Sequence, residues 1–287
     1  MYDVTIIGAG PAGISASLYA KRANLNVLVL YHGKSNLEMT DKIENYYGFQ
    51  NGIEGKELYN NGIEQAKKIG VEVKQVEVFG IQNLGESFEV RTSEDKIETK
   101  TLILATGNKK LRPNINGILE FEGRGVSYCA ICDGFFFRDK NIVVIGNGEY
   151  ALNEAKELSH IVKNITILTN GLEVPETEFD TNSKKIKNIL GEQKVNEIEF
   201  EDGTKLECDG IFVAIGEAGA SNFAKTLGIM MKEDSIIVNE KMETSIKGIY
   251  ACGNATGGLL QISKAVYEGA EAGLSVANYI RNIEKEK

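Results

Sequence analysis

The sequence predicts an α/β protein of two Rossmann-like dinucleotide-binding domains, the second inserted in the first. Three observations predict it. A glycine-rich turn between an apolar run and a helical stretch opens the chain, a second such turn lies near its middle, and each is followed by the same series of hairpins and apolar runs.

In the first half, Val4-Thr5-Ile6-Ile7 leads into Gly8-Ala9-Gly10-Pro11-Ala12-Gly13, a helical stretch to about Asn24, and the strand Val27 to Leu30. Gly8 permits the tight turn, Gly10 lets backbone amides approach a pyrophosphate at the helix N-terminus, and Gly13 lets helix and strand pack closely. Hairpin segments follow at Ser87 to Thr92 and Lys96 to Glu98. The apolar run Leu102 to Leu104 then ends in Ala105-Thr106-Gly107.

The second half repeats the plan. Ile142 to Ile145 leads into Gly146-Asn147-Gly148-Glu149-Tyr150-Ala151, a helix through Ala155 and Leu158, and the strand Ile165 to Leu168. Its hairpin segments are Val195 to Phe200 and Lys205 to Cys208, and its last run, Ile211 to Val213, ends in Ala214-Ile215-Gly216. The chain then returns through the strand and turn Gly248 to Asn254 and a helix from Ser263 to Ile280, placed on the first domain. The expected domains are 1–111 with 243–287, and 112–242. Their linkers lie near Leu111-Arg112-Pro113 and Glu240 to Thr244, two crossings that form a hinge.

Composition bounds the function. The 287 residues fill two cores, with 42% hydrophobic and 25% charged residues and only 3 Pro. A net charge of -9 argues against nucleic acid, whose phosphates need clustered cations. No stretch is long and apolar enough to span a bilayer. The chain enters a strand at once, which predicts no leader, and 4 Cys are too few for a disulfide scaffold. A cytoplasmic protein is expected, with disorder confined to the charged tail after Arg281.

Cys129-Ala130-Ile131-Cys132-Asp133, just ahead of the second glycine turn, admits three readings. As half of a zinc site it lacks a partner pair, since Cys208 and Cys252 lie in apolar strands and the only histidines are His32 and His160. As small buried residues the pair is inert. As a redox dithiol it gains from Asp133, a proton donor and acceptor for an exchange that proceeds through thiolates. Two basic runs, Lys109-Lys110-Leu111-Arg112 and Lys184-Lys185-Ile186-Lys187, are solvated faces or docking sites for an acidic partner.

With these motifs in place, the chain resembles the low-molecular-weight, bacterial-type thioredoxin reductases over essentially its whole length. The segment Gly123 to Phe137 carries the resemblance most specifically. Ala105-Thr106-Gly107, Tyr46-Tyr47-Gly48-Phe49 and Lys241 to Ser245 add to it. The resemblance implies a glutathione-reductase-type arrangement, FAD on the first domain, a dithiol on the second, a homodimer, and rotation of the domains between the two half-reactions. It implies cofactor contacts from Gly8, Gly10, Pro11, Ala12, Gly13, Asn45, Ala105, Thr106, Gly107, Gly253, Asn254, Gln261 and Ile262. It also implies that Cys132 faces the flavin while Cys129 attacks the disulfide of thioredoxin, with Asp133 completing the catalytic set.

Departures from the family pattern change what is expected. Asn254 stands where an Asp contacts the flavin, Leu260 stands for an Arg, and Ser35 to Glu38 lacks the usual glycine-glycine-glutamine turn. The strand at Leu30 ends in Tyr31-His32 without the acid that binds the adenosine ribose. The largest departure follows Leu168, where relatives hold NADPH with His-Arg-Arg and a further Arg. Here no Lys, Arg or His occurs from Ile165 to Ser183, and only Glu173 is near for NADH. The expected enzyme is therefore an FAD-dependent disulfide oxidoreductase fed by reduced ferredoxin. The alternatives are NADH or a second flavin on Gly146, Gly148 and Ala151, or a flavin-binding redox sensor without turnover.

Overall fold

The structure, a computed structural model, describes residues 1–107, 113–128, 130–216, 219–233 and 235–285. Two compact units emerge, one from Met1–Lys109 and Gly219–Lys287, the other from Lys110–Ala218. The second is thus inserted in the first.

The first unit opens with β1 (Tyr2–Ile7), α1 (Pro11–Arg22) and β2 (Val27–Tyr31), then α2 (Gly55–Lys68), β3 (Glu72–Gln75), β4 (Val78–Asn83), β5 (Phe88–Thr92) and β6 (Lys96–Leu104). Its sheet runs β3-β2-β1-β6-β5-β4. Strands β3, β2, β1 and β6 are parallel, with Val4 opposite Val27 and Ile7 opposite Leu104. Strands buried on both faces read as unbroken apolar runs, as Val27 to Leu30 and Leu102 to Leu104 do. The hairpin segment expected at Lys96 to Glu98 and the run at Leu102 to Leu104 are one strand. Its first half pairs with β5 and its second half with β1.

The second unit contains β7 (Val126–Ser127), α3 (Ala130–Asp133), β8 (Asn141–Ile145), α4 (Glu149–Ser159), β9 (Asn164–Leu168) and β10 (Asp180–Asn182). Strands β11 (Ile186–Gly191), β12 (Val195–Phe200), β13 (Lys205–Glu207) and β14 (Gly210–Val213) complete it. Its main sheet is parallel, in the order β10-β9-β8-β14-β7, and β11-β12-β13 form a separate antiparallel sheet. A parallel crossover is usually helical, but residues 169–179 carry the chain from β9 to β10 without a helix.

The chain returns through α5 (Ala220–Leu227), β15 (Met231–Lys232), β16 (Ser235–Ile236), β17 (Ile249–Ala251) and α6 (Ile262–Lys285). β17 adds in parallel to the second half of β6, with Ile249 opposite Leu102 and Ala251 opposite Leu104. α6 lies so close to α1 that a Cβ on Gly269 or Gly273 would strike the Ala12 or Ala16 carbonyl. Two sequence boundaries shift. Residues from Gly219 group with the first unit, ahead of the expected Glu240 to Thr244 linker, because α5 packs on β4 and β16 on the Gly253–Thr256 turn. The tail expected to be disordered after Arg281 continues as α6 to Lys285, since Ile280 and Ile283 still pack on the core. Among the described residues no helix is long and apolar enough to cross a membrane.

Candidate active site and cofactor cradle

The first unit gathers one group of expected cofactor residues. Gly8 ends β1 at φ +112°, and a Cβ there would run into the Ala105 carbonyl. Only glycine lets the β1 turn and the Ala105-Thr106-Gly107 turn after β6 lie side by side. A Cβ on Gly13 would strike the Gly8 carbonyl. Gly10 caps α1 with no side-chain hydrogen bond, Pro11 follows as the first helical residue, and the first turn carries no acid. Nothing lies within 4 Å of the position a Gly10 Cβ would take. These open amides and the positive end of the helix form an anion cradle.

The walls of the cradle fit a dinucleotide. Ala12 and Ala105 are buried, and a Cβ on Gly253 would stand 2.7 Å from the Ala12 Cβ, so the returning turn closes on the start of α1. The Thr106 hydroxyl is buried with no hydrogen-bond partner among the described residues, a cost that a bound polar group removes. Asn45 Nδ2 donates to Gln261 Oε1 at 3.0 Å, which joins two expected contacts 216 residues apart. Gly107, Asn254 and Ile262 are half-buried, whereas Leu260 is exposed.

Three residues that sequence reading missed support this cradle. Glu268 and Lys264, an i,i+4 pair on α6 at 3.0 Å, are 11% and 16% exposed in their side chains. The Gly253 N–H and the Thr256 hydroxyl donate to Glu268 at 2.8 and 2.9 Å, and Lys264 Nζ donates to the Gly253 carbonyl at 2.9 Å. The turn after β17 is therefore held at both its donor and its acceptor. Glu38 is the third. The segment Ser35 to Glu38 forms a capping box, with the Ser35 N–H donating to Glu38 Oε2 at 2.7 Å. Burial drives the Tyr59 hydroxyl upward, and Tyr31 and Glu38 push it the same way. Tyr31, at the end of β2, and Glu38 thus both act on the same Tyr59 of α2. The Ser35-x-x-Glu38 spacing was the signal for Glu38.

The second unit holds the residues that flank the expected dithiol. Cys129 lies outside the described residues, as does the Cys132 side chain, while the Cys132 backbone forms part of α3. Asp133, at the end of α3, accepts a 2.6 Å hydrogen bond from the Ser127 hydroxyl. From α4, Tyr150 donates its hydroxyl proton to the Tyr128 carbonyl at 3.2 Å, and Glu154 accepts the Ala130 N–H at 2.6 Å. Burial raises the Glu154 carboxyl to about 7, against the Ala130 bond, with Glu157 adding to the rise. No motif announced Glu154. Its signal was an acid on the buried stripe of Ala151, Ala155 and Leu158.

Glu154 gives stability a defined pH dependence. Its carboxyl has an ordinary value of 4.5 and holds its proton to about 7 in the native state. Stability contributed by that proton is complete below pH 4.5 and is lost as pH rises through 7, about 3 kcal/mol in all. Glu154→Gln should flatten this decline in urea unfolding across the range. An unchanged pH slope in the variant would contradict the assignment.

The second glycine turn is less suited to a dinucleotide. A Cβ on Gly146 would strike the Ala214 carbonyl, Gly148 is open, and Ala151 is buried, so the turn itself is intact. But Glu149, exposed, occupies the first turn of α4, where a pyrophosphate would sit. The end of β9 is also closed by its own backbone. The Thr169 and Gly171 amides donate to the Asn182 and Ser183 carbonyls, and Asn170 Oδ1 accepts from Ile186 N–H. The stem of one lysine does pack on this turn, since Lys185 Cγ lies 3.0 Å from the position of a Gly171 Cβ.

The remaining candidates sort simply. Lys184 and Lys187 pair with Asp202 and Glu199, each at 2.8 Å, as on a solvated face. Lys109, Lys110 and Arg112 lie outside the described residues. Cys208 and Cys252 are buried free thiols, Cys208 pushed up to about 12 and Cys252 also raised, both by burial first. They are poor nucleophiles.

Residues 2–269 match the pyridine nucleotide-disulphide oxidoreductase family. The thioredoxin reductase of Bacillus subtilis (strain 168) is 34% identical over 307 residues, covering 99% of this chain and 96% of its own length. Among solved structures, an atypical thioredoxin reductase from Desulfovibrio vulgaris Hildenborough is similar at a TM-score of 0.92 and 35% identity, over 98% of this chain and 99% of that one. A ferredoxin-flavin thioredoxin reductase from Clostridium acetobutylicum gives 0.74 and 32%, over 98% of both chains. The chain belongs to the pyridine nucleotide-disulphide oxidoreductase family, in its thioredoxin reductase branch. It is an enzyme, a flavin disulfide oxidoreductase of thioredoxin reductase type.

Proposed function

We propose that this enzyme reduces the disulfide of thioredoxin or a thioredoxin-like protein with electrons from reduced ferredoxin, through FAD on the first unit and the Cys129–Cys132 pair of the second. Gly8, Gly10, Ala12, Gly13, Ala105, Thr106 and Gly253 would hold the FAD pyrophosphate side, with Glu38 near its ribose and Asn45, Asn254, Gln261 and Ile262 toward its ring. When bound, the flavin supplies the exchange between single-electron donors and a two-electron disulfide. Catalysis then rests on the thiols. Attack by the Cys129 thiolate on the substrate disulfide forms a mixed disulfide and expels one substrate thiolate. Attack by Cys132 on Cys129 expels the second and restores the Cys129–Cys132 bond. Asp133, held by Ser127, takes and returns the proton of the departing or attacking sulfur.

The observation that carries the donor assignment is the second nucleotide site. No cation occurs from Ile165 to Ser183, the β9 turn is closed on itself, and Glu149 opposes a pyrophosphate at α4. Ferredoxin is energetically sufficient, since a donor near -400 mV facing thioredoxin near -270 mV leaves about 130 mV, or about 6 kcal/mol for two electrons. We also place the enzyme in the cytoplasm as a homodimer, consistent with exposed Leu259, Leu260 and Tyr267 on the first unit. Calorimetric titration of the oxidised protein with NADPH and NADH should show no saturable binding. Micromolar binding of either would return the enzyme to the pyridine-nucleotide class.

Lys185 favours a second reading, in which a nucleotide or a further FAD rests on Gly146, Gly148 and Ala151 with Lys185 on its phosphate. Two FAD per chain in the purified protein would support it, and a single FAD would exclude the second flavin.

A further inference from the structure

We propose that Glu154, with Tyr150, is a positioning residue of the dithiol: from one face of α4 the two side chains hold the backbone on either side of Cys129, and the Glu154 carboxylate opposes thiolate formation there. The inference rests on the reading of Cys129 and Cys132 as the redox pair. Residues 150 and 154 share a helix face by their spacing. Tyr150 reaches the Tyr128 carbonyl at 3.2 Å and Glu154 the Ala130 amide at 2.6 Å, so the two bonds bracket a single residue, Cys129. The Ala130 nitrogen is itself bonded to the Cys129 carbonyl carbon. The carboxylate that accepts this N–H is therefore tied to the residue that follows Cys129 in the chain.

An acid at this place is costly unless it has work to do. Glu154 is 8% exposed among the buried Tyr150, Ala151, Ala155 and Leu158, where an apolar residue would pack without penalty. The titratable groups facing it are few. Glu157 on its own helix repels it and Tyr150 shares its face. α3, which packs on α4, carries Cys132 and Asp133, the latter engaged by Ser127, and β8 and β9 beneath α4 carry no titratable side chain. No described cation acts on Glu154 to offset its charge. Its neutral form therefore persists to about pH 7, and the charged form appears in the range where thiols begin to ionise.

The consequence for the thiols has a definite sign. Reduction of the Cys129–Cys132 disulfide takes two electrons and leaves two sulfur anions, each of which becomes a thiol by taking one proton. A carboxylate one residue away favours the protonated form and raises the thiol pKa. Below pH 7 the neutral carboxyl exerts no such effect. Glu154 thus restrains the nucleophile as the pH rises, while its bond to Ala130 keeps the segment in place at every pH.

The test uses the whole enzyme, reduced with dithiothreitol, freed of reductant, and alkylated with iodoacetamide across the pH range, with peptide mapping to locate the label. Glu154→Gln keeps an acceptor for the Ala130 N–H and removes only the charge. At about pH 8 it should be alkylated ~3-fold to ~10-fold faster than wild type, with the two proteins converging at about pH 5.5. Superimposable profiles would overturn the inference. The wild-type profile alone is also decisive, because it should show an inflection near pH 7 besides that of the thiol, and its absence would count equally against Glu154. Tyr150→Phe should keep that inflection while shifting the rate at all pH values. If dithiothreitol exposes no new thiols at Cys129 and Cys132, the dithiol reading itself falls, and the inference with it.

Discussion

Cys129→Ser and Cys132→Ser should each lower the rate of disulfide reduction about a thousandfold or more, and the double variant should be no slower than either single one. The two sulfurs act in sequence on one bond, so removing either stops turnover. The variants should nevertheless differ in what they accumulate. Cys132→Ser retains the attacking thiol but has nothing to release the substrate from it, so it should trap thioredoxin as a mixed disulfide. Cys129→Ser should trap nothing. Non-reducing gel electrophoresis after mixing with thioredoxin separates the two. Trapping by Cys129→Ser and not by Cys132→Ser would reverse the assigned roles. Cys208→Ser and Cys252→Ala should leave turnover near wild type, because both thiols are buried and raised away from ionisation.

Glu268→Ala should give the largest loss of stability and a flavin-poor protein. The change leaves Lys264 partly buried without its carboxylate and removes the acceptor of the Gly253 N–H and the Thr256 hydroxyl. Breaking a buried pair by removing one partner costs about 3 kcal/mol or more. The Gly253 turn touches Ala12 at the start of α1, so loosening it should open the cradle as well. Thermal unfolding and flavin absorbance per chain measure both effects. A lysine-side change, Lys264→Met with Glu268→Leu, removes both charges and should recover much of the stability, though not the hydrogen bonds to the turn. A melting temperature and flavin content equal to wild type in Glu268→Ala would show that the turn holds itself.

The parts of this protein that could be read from sequence are those whose chemistry is local. Strand, glycine turn and helix occur within a dozen residues at Val4 to Gly13 and again at Ile142 to Ala151, and backbone sterics allow few other outcomes. The cysteine pair with its Asp is equally local. What escaped notice depends on residues distant in the chain. Glu268 serves a turn fifteen residues away, Glu154 an amide twenty-four away, and Gly269 and Gly273 reveal their purpose only when α6 meets α1. The boundary at Gly219 escaped for the same reason, because α5 has the composition of any surface helix and only its packing on β4 assigns it to the first unit. Lys185 shows the converse danger. The cation-free stretch ends at Ser183 in linear order, and the chain folds Lys185 back over Gly171.

The donor assignment is the central claim, and an anaerobic absorbance titration tests it most directly. The purified protein would be mixed in parallel with NADPH, NADH and reduced ferredoxin, with flavin bleaching followed first and the appearance of thioredoxin thiols second. Bleaching by ferredoxin alone, with thioredoxin thiols following, is the predicted result. Rapid bleaching by NADPH or NADH would contradict it, and would mean that Lys185 and the intact Gly146 turn suffice for a nucleotide despite Glu149.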